Sequence, residues 1–430
     1  MFSRIGEAAY KKDLTNIRKL CEALHHPETQ FPAIHIAGTN GKGSVSHMLA
    51  AIFQQAGYKT GLYTSPHLID FRERIRINGQ MIPEEEVVAF VCKTQSLTES
   101  IGPSFFELTV AMAFDYFARE QVEMAIVETG LGGRLDSTNI LMPELSIITN
   151  ISFDHQHLLG NALAAIASEK AGIIKPGVPV VIGEYHPETF PVFAEKARAC
   201  NSPLFLASPN QAEKTSGWVV EAGQGTEPWI FRSVTDERVW HCHPDLTGNY
   251  QQKNIATVLT AIDVFNRHCT EGRAWISPDQ VLAALQQVKK LTGLRGRWDI
   301  ICNHPRIVLD VAHNEAGIQE VMQQTARENY RQLHVVTGFV KDKDIPAALR
   351  QFPTHAHYYF TQAQLPRALE VTTLQALAQT YGLSGQAYAT VSEACAAALR
   401  QAAPDDMILV CGSVFVVGEA LQVLEKPVSE

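Results

Sequence analysis

The sequence predicts an α/β protein: a mostly parallel sheet of the phosphate-loop ATPase type, followed by a smaller α/β unit with Rossmann-like alternation. Three observations lead there. Short β-branched runs alternate with longer helix-like segments, the pattern of parallel strands joined by crossover helices. One apolar run, Ala33–Ala37, leads straight into a glycine-rich turn and then a helix. The alternation pauses at Thr292-Gly293-Leu294-Arg295-Gly296-Arg297 and then restarts.

The first strand stops at Gly38. Val45, Met48, Leu49 and Ile52 recur at helical spacing, so residues 44–56 are expected as a helix that Gly57 ends. Residues 58–63, 124–127, 146–149 and 178–182 read as further strands, and 84–97, 106–119 and 162–171 as helices. The runs 218–220, 229–231 and 239–240 lie between turn-rich pieces and suggest a small antiparallel insertion, with no role assigned to 211–243. Residues 248–268 and 278–290 look like two helices. Two glycines and two arginines in 292–297 suggest a hinge. Beyond it, strands are expected at 307–310, 333–337, 358–361 and 407–411, with helices from Asn314 and over 374–381. The expected division is therefore 1–293 and 294–430.

At roughly 100–200 residues per domain, 430 residues allow two or three domains. A hydrophobic fraction of 46% with 19% charged residues is a globular mix and excludes disorder for most of the chain. Lys+Arg total 36 against 45 Asp+Glu, a formal charge of -9 that argues against a nucleic-acid partner. An anionic small molecule needs only a local basic pocket. The eight cysteines are scattered and form no C-x-x-C pair, so neither a zinc site nor a redox motif is expected. Most read as small buried hydrophobes in a reducing compartment. The first residues meet charge too early for a signal peptide, and the apolar stretch 105–118 is broken by Glu107 and Asp115. A cytoplasmic protein without a membrane partner is expected.

The strongest local feature is Ile34-His35-Ile36-Ala37-Gly38-Thr39-Asn40-Gly41-Lys42-Gly43-Ser44. Glycines let backbone N–H groups approach a polyphosphate, the helix start offers unpaired N–H groups and a positive dipole end, and Lys42 adds a point charge. Ser44 in the first turn can support Mg²⁺. The segment departs from G-x-x-x-x-G-K-[ST]: Ile36 stands where the first glycine would be, and Gly43 follows the lysine. A plain glycine-rich turn with a solvated lysine is the alternative; the strand–loop–helix context favours phosphate.

Gly38-Thr39-Asn40-Gly41-Lys42-Gly43-Ser44 resembles the nucleotide loop of the Mur ligase superfamily, in particular folylpolyglutamate synthases and bifunctional dihydrofolate synthase/folylpolyglutamate synthases. Other stretches match in the family's order: Tyr63-Thr64-Ser65-Pro66-His67-Leu68, Arg72-Glu73-Arg74-Ile75, the run from Glu128 to Asn139, Asp154-His155, the run from Glu169 to Lys175, Gly248 to Asn254, Gly296-Arg297, and Asp310-Val311-Ala312-His313-Asn314. Together they cover about residues 30–420. One position departs: Glu315 follows His313-Asn314 where proline is common, while Asp299 supplies the acidic residue that usually follows the Gly-Arg element.

The resemblance implies a Mur ligase-like fold and an ATP- and Mg²⁺-dependent ligase. It would join L-glutamate to dihydropteroate, to the γ-carboxylate of reduced folates, or both, through an acyl phosphate. Lys42, His155 and Lys170 would be catalytic, and Thr39, Asn40, Gly41, Gly43 and Ser44 would complete the phosphate cradle. Asn254 would read adenine, Arg297 would reach the phosphates, and Asp310 with His313 would meet the ribose. Ser65 and Glu128 would bind one Mg²⁺, and His155 and Lys170 a second, Lys170 matching a lysine that can be carbamylated. Ser104, Phe105, Phe106, Glu107, Leu135, Asp136 and Ser137 would line a dihydropteroate pocket. The implied partners are ATP, L-glutamate and a folate or dihydropteroate, with the chain a monomer.

Without the resemblance most of these residues have plainer readings. Glu128 ends a strand and so faces the usual ligand crevice of a parallel sheet. Ser65, however, reads as a turn residue, Lys170 as a surface lysine beside Glu169, Arg297 as a linker charge, and Asp310 to His313 as a helix cap. Phe105 and Phe106 could equally be core. A cell-wall Mur ligase is a competing expectation, weakened because only 37 residues precede Gly38. A phosphate-loop NTPase switch is another.

Overall fold

The computed structural model describes residues 13–208, 216–223, 227–268 and 274–425. Its first sheet holds strands β1 (Ala33–Ala37), β2 (Thr60–Tyr63), β3 (Ile75–Ile77), β4 (Gln80–Met81), β5 (Met124–Glu128), β6 (Leu145–Ile148), β7 (Val180–Ile182) and β8 (Leu204–Leu206), in the order β4-β3-β2-β5-β1-β6-β7-β8. The pairs from β2 to β8 are parallel, and β3 and β4 pair antiparallel at one edge. β1, β2, β5, β6 and β7 are buried along their whole length, as central strands covered by helices on both faces must be.

One face carries the helices Lys42–Gln55, Gln251–His268 and Pro278–Leu285; the other carries Thr15–Ala23 and Phe105–Arg119. The helix Lys42–Gln55 was expected to have one apolar face. It is buried all round from Ser44 to Phe53, because it lies between the sheet and two further helices. The expected helix over 278–290 is two, Pro278–Leu285 and Val288–Thr292, separated by Gln286 and Gln287. The β3–β4 hairpin was missed, although Asn78-Gly79 between its strands is a strong two-residue turn signal: both residues sit at positive φ, +46 and +75.

The expected insertion is present as β9 (Trp218–Glu221), β10 (Trp229–Ser233) and β11 (Val239–Cys242), an antiparallel sheet in the order β11-β10-β9. It is clamped to the helix Gln251–His268 through Asp263, which accepts from Trp218 Nε1 at 2.9 Å and from both terminal nitrogens of Arg238 at 2.9 Å. The Arg238 guanidinium lies over Trp218, 4.9 Å from its ring centre.

The second large sheet has β12 (Asp299–Asn303), β13 (Arg306–Leu309), β14 (Leu333–Thr337), β15 (His357–Phe360), β16 (Gly385–Ala387) and β17 (Met407–Cys411), ordered β12-β13-β17-β14-β15-β16. All pairs but β12–β13 are parallel. β12 was not expected: it is an antiparallel edge strand whose apolar run, Ile300-Ile301-Cys302, is only three residues long and partly covered. Separate apolar layers fill the two faces of this sheet. Between the sheets, Gly293 and Gly296 both adopt φ +69, and buried Asp299 receives Arg295 and Lys289.

Cys21, Cys242, Cys395 and Cys411 are buried free thiols, as expected. Cys92 is exposed, Cys200 and Cys302 are half-buried, and Cys269 lies outside the described residues. Among the described residues, no helix is long and apolar enough to cross a membrane.

Candidate active site

The carboxyl ends of the two parallel sheets meet across a cleft of about 690 Å³. This is where open α/β sheets place ligands, because the loops leaving the strands diverge there. β1 delivers the phosphate loop, β5 ends on Glu128, β13 leads to Asp310, and β17 leads to Ser413; all reach the cleft wall.

The loop is held open from behind. Thr39 N donates to Asn150 O at 2.8 Å and Asn40 N to Asn150 Oδ1 at 3.0 Å. Gly41 caps the helix Lys42–Gln55 at φ +84, and a methyl there would come within 2.4 Å of Asn254 Oδ1. A methyl on Gly43 would lie 3.2 Å from Arg297 Nη2 and 3.8 Å from Glu128 Oε2. Glycine at 43 therefore leaves a cradle between a guanidinium and a carboxylate. Lys42 curls onto its own loop, donating to Gly38 O and Thr39 O at 3.1 Å each. Burial pushes the Lys42 ammonium down, and Glu128 and Asp154 oppose that. Ser44 Oγ is buried and accepts from Gln251 Nε2 at 3.2 Å.

Glu128 is buried, and its Oε2 receives a long 3.4 Å contact from Ser65 N. Burial raises its carboxyl, offset by Lys42 and Arg297. A buried, weakly bonded carboxylate beside a hydroxyl is a hard-oxygen set that fits Mg²⁺. Lys170 is not the surface lysine that its sequence context allows. It is 4% exposed and donates to Gly38 O at 2.8 Å, while Glu169 pairs with Arg134 instead. Burial, then the Lys42 charge, lower its amine to about 7.

His155 occupies a left-handed conformation at φ 51, with Nε2 3.0 Å from Lys343 Nζ. Lys343 donates to Asp154 at 2.6 Å, and His313 Nε2 stands 3.5 Å from the other Asp154 oxygen. Burial would raise the Asp154 carboxyl, but Lys343 and His313 hold it well below the usual range. Among the described residues, no three of His, Cys, Asp and Glu gather as a metal site.

The remaining expected contacts fall as follows. Asn254 lies against the phosphate loop, its amide donating to Gln251 Oε1 at 2.8 Å. Asp310 already accepts from Tyr250 OH at 2.6 Å, Trp298 N at 2.8 Å and Ala312 N at 2.9 Å, so it also ties Tyr250 and Trp298 to the end of β13. Ser104, Phe106, Leu135, Asp136 and Ser137 line the cleft. Phe106 fills the space left by Gly130, where a methyl would come within 2.4 Å of its ring. Phe105 and Glu107 do not line the cleft. Phe105 packs on Phe71 and under Arg74. Glu107 completes a capping box, Oε2 accepting from Ser104 N at 2.6 Å and Glu107 N donating to Ser104 Oγ at 3.2 Å.

Sequence reasoning missed Lys343 and the Asn40–Asn314 amide pair, whose two contacts are 3.2 and 3.0 Å, and gave Asp154 no role although it stands in the Asp154-His155 stretch. A signal for Lys343 existed: Lys341-Asp342-Lys343-Asp344 follows a parallel strand at its carboxyl end.

A phosphate loop and a metal-competent carboxylate on one sheet, facing cations from a second sheet, define a two-sheet nucleotide-dependent ligase. The comparisons agree. Residues 36–262 match the Mur ligase middle domain, and residues 296–414 match the Mur ligase, glutamate ligase domain. The chain is 35% identical over 372 residues to the dihydrofolate synthase/folylpolyglutamate synthase of Bacillus subtilis, covering 83% of each. The solved structure of Escherichia coli FolC in complex with DHPP and ADP aligns with a TM-score of 0.84 and 28% identity, over 97% of this chain and 95% of that one. The bifunctional folylpolyglutamate synthase/dihydrofolate synthase of Yersinia pestis, complexed with AMPPNP and a Mn ion, aligns at 0.82 and 27%, over 97% and 94%. The chain belongs to the Mur ligase family, among its folylpolyglutamate and dihydrofolate synthases. It is an ATP-dependent ligase of glutamate in folate metabolism.

Proposed function

We propose that the cleft binds ATP with a divalent cation and couples an acceptor carboxylate, on dihydropteroate or on a reduced folylglutamate, to the amine of L-glutamate. The observation that carries this reading is the Gly43 cradle, open between Arg297 and Glu128 above Lys42. In the reaction the acceptor carboxylate oxygen bonds to the γ-phosphorus as the bond to ADP breaks. The glutamate amine then bonds to the acyl carbon, inorganic phosphate leaves, and the amine gives up a proton. Lys42 and Arg297 neutralise charge on the transferring phosphoryl group, and the backbone N–H groups of 41–44 hold the phosphates.

Ser65 and Glu128 suit one Mg²⁺, which when bound would supply charge neutralisation at the phosphates. His155 and a carbamylated Lys170 would hold a second. Support for the carbamate is the Lys170 amine, lowered to about 7: a partly neutral nitrogen can bond to CO₂ and release a proton. Lys343 would have to leave His155 for that site to fill. Asn254, Asp310 and His313 flank the nucleotide end. Phe106, Leu135, Asp136 and Ser137 form the wall on which dihydropteroate would lie. In this reading the chain divides at 293/294, with ATP between the parts, and works as a monomer on small molecules only.

Phosphate release from ATP with L-glutamate and one of three acceptors tests the reading. Dihydropteroate or tetrahydrofolate monoglutamate should stimulate release, and a UDP-muramyl acceptor should not. Release that needs no acceptor would defeat the proposal. Lys42→Ala and Glu128→Ala should each lower the stimulated rate by about 10²–10³-fold.

A further inference from the structure

Arg76 is a buried cation without a counter-ion. It lies on β3 between Ile75 and Ile77, whose side chains join the apolar core, so its own side chain turns to the cleft. It is 8% exposed, and Nη1 donates to Gly79 O at 3.1 Å. Its Nε is buried with no hydrogen-bond partner, and no carboxylate lies within ion-pair distance among the described residues. The nearest acids are committed elsewhere. Glu73 accepts the backbone N–H groups of Leu68, Ile69 and Asp70, and Asp70 pairs with Arg72 at 2.7 Å. Gly293 lets the guanidinium lie flat against the chain: a methyl there would come within 3.2 Å of Nη1.

Desolvating a guanidinium without a partner is costly, and the cost is recovered when an anion arrives. His47, buried beside Thr292 on the same wall, is lowered to about 3 by burial and by the charges of Arg76 and Arg297. It thus stays neutral and adds no charge to the cleft wall. Arg76 and Arg297 both line the cleft, as do the aliphatic side chains Leu68, Ile69, Met81 and Leu294.

We propose that Arg76 receives a substrate carboxylate that does not react: the α-carboxylate of a glutamyl residue already present on the acceptor. This rests on the folate ligase reading above. The chemistry separates the two acceptor classes. Dihydropteroate has one carboxylate, which is the reacting group. A glutamylated folate presents its terminal γ-carboxylate for reaction and keeps an α-carboxylate on every glutamyl unit, joined by a short aliphatic chain that suits the apolar walls. Arg76 is thus a specificity-determining residue that favours later glutamate additions over the first.

Steady-state kinetics on Arg76→Met test this, with tetrahydrofolate diglutamate and dihydropteroate as acceptors and L-glutamate varied separately. The ratio of kcat/KM for diglutamate over dihydropteroate should fall by about tenfold or more, through KM for the diglutamate. The incoming L-glutamate is the other source of the same carboxylate. A rise in KM for L-glutamate with both acceptors, without change in the acceptor ratio, would assign Arg76 to it and overturn the proposal. An unchanged ratio and unchanged KM values would overturn it as well. Should Arg76→Met not fold, Arg76→Lys keeps the charge but loses the fork. The same ratio should then fall by about threefold or more, and constancy would count against the proposal. Failure of the underlying reading looks different: the wild-type enzyme would then release no phosphate with either acceptor.

Discussion

At the scale of single residues, Lys170 shows how burial remakes a side chain. Its ordinary value of 10.5 falls to about 7, so across that window the unfolded chain binds a proton that the folded chain does not. Stability at this site therefore rises with pH between those values, and the burial penalty is fully present below about 7. Lys170→Met removes the penalty. In CO₂-free buffer its Tm advantage over the wild type should be largest near pH 6.5 and shrink toward pH 10, while ligase activity is lost. Differential scanning calorimetry across that range reads it directly; an advantage that does not vary with pH would mean that Lys170 is not lowered. Glu128 illustrates the opposite sign. Burial raises it, and Lys42, Arg297 and the Ser65 N–H oppose that in favour of the carboxylate.

At the scale of elements, the turn into the helix Lys42–Gln55 is where local conformation and ligand space coincide. Gly41 needs a positive φ and has no room for a Cβ beside Asn254. Gly41→Ala should cost about 1–2 kcal/mol from the left-handed backbone alone. It should also weaken ATP binding by tenfold or more, because Asn254 must shift. Urea unfolding and calorimetric titration with ATP measure the two effects separately. The helix Phe105–Arg119 shows an element overriding a site assignment. Glu107 reads as a pocket residue by family position, yet its carboxylate satisfies the helix start, an alternative that the Ser104-x-x-Glu107 spacing itself announces. The hairpin of β3 and β4 has a second consequence: alternation along β3 sends Arg76 to the cleft.

At the scale of the whole molecule, the cleft is bridged from both sides. Lys343 reaches Asp154, and Asn314 reaches Asn40. These contacts join loops of different sheets, so they report the relation between them. Lys343→Met leaves Asp154 without its main cation, and removing one partner of a buried pair costs about 3–5 kcal/mol. The variant should loosen the cleft without unfolding either sheet. Small-angle scattering should give a larger radius of gyration without nucleotide, recovered when a nonhydrolysable ATP analogue is added. An unchanged profile would show that the Lys343–Asp154 pair does not hold the sheets together.

Much of this was legible in the sequence, for identifiable reasons. Strand β17 carries a continuous apolar run, and β1 and β14 are apolar but for His35, His334 and Thr337, because both faces are covered; the phosphate loop is a local pattern of glycines before a helix. Edge elements were harder to read. The apolar run of β12 is only three residues long, and β3 and β4 together are too short to show a period, although Asn78-Gly79 marked their turn.

The sequence by itself determined the α/β class, the phosphate loop and the residue types able to do the chemistry, since each depends on neighbours within a few positions. Tertiary structure alone decided which of those residues share an environment. It removed Lys170 from water, set Lys343 against Asp154 and left Arg76 without an ion-pair partner at the cleft. Burial and charge pairing depend on groups tens to hundreds of residues apart, and no local pattern records them.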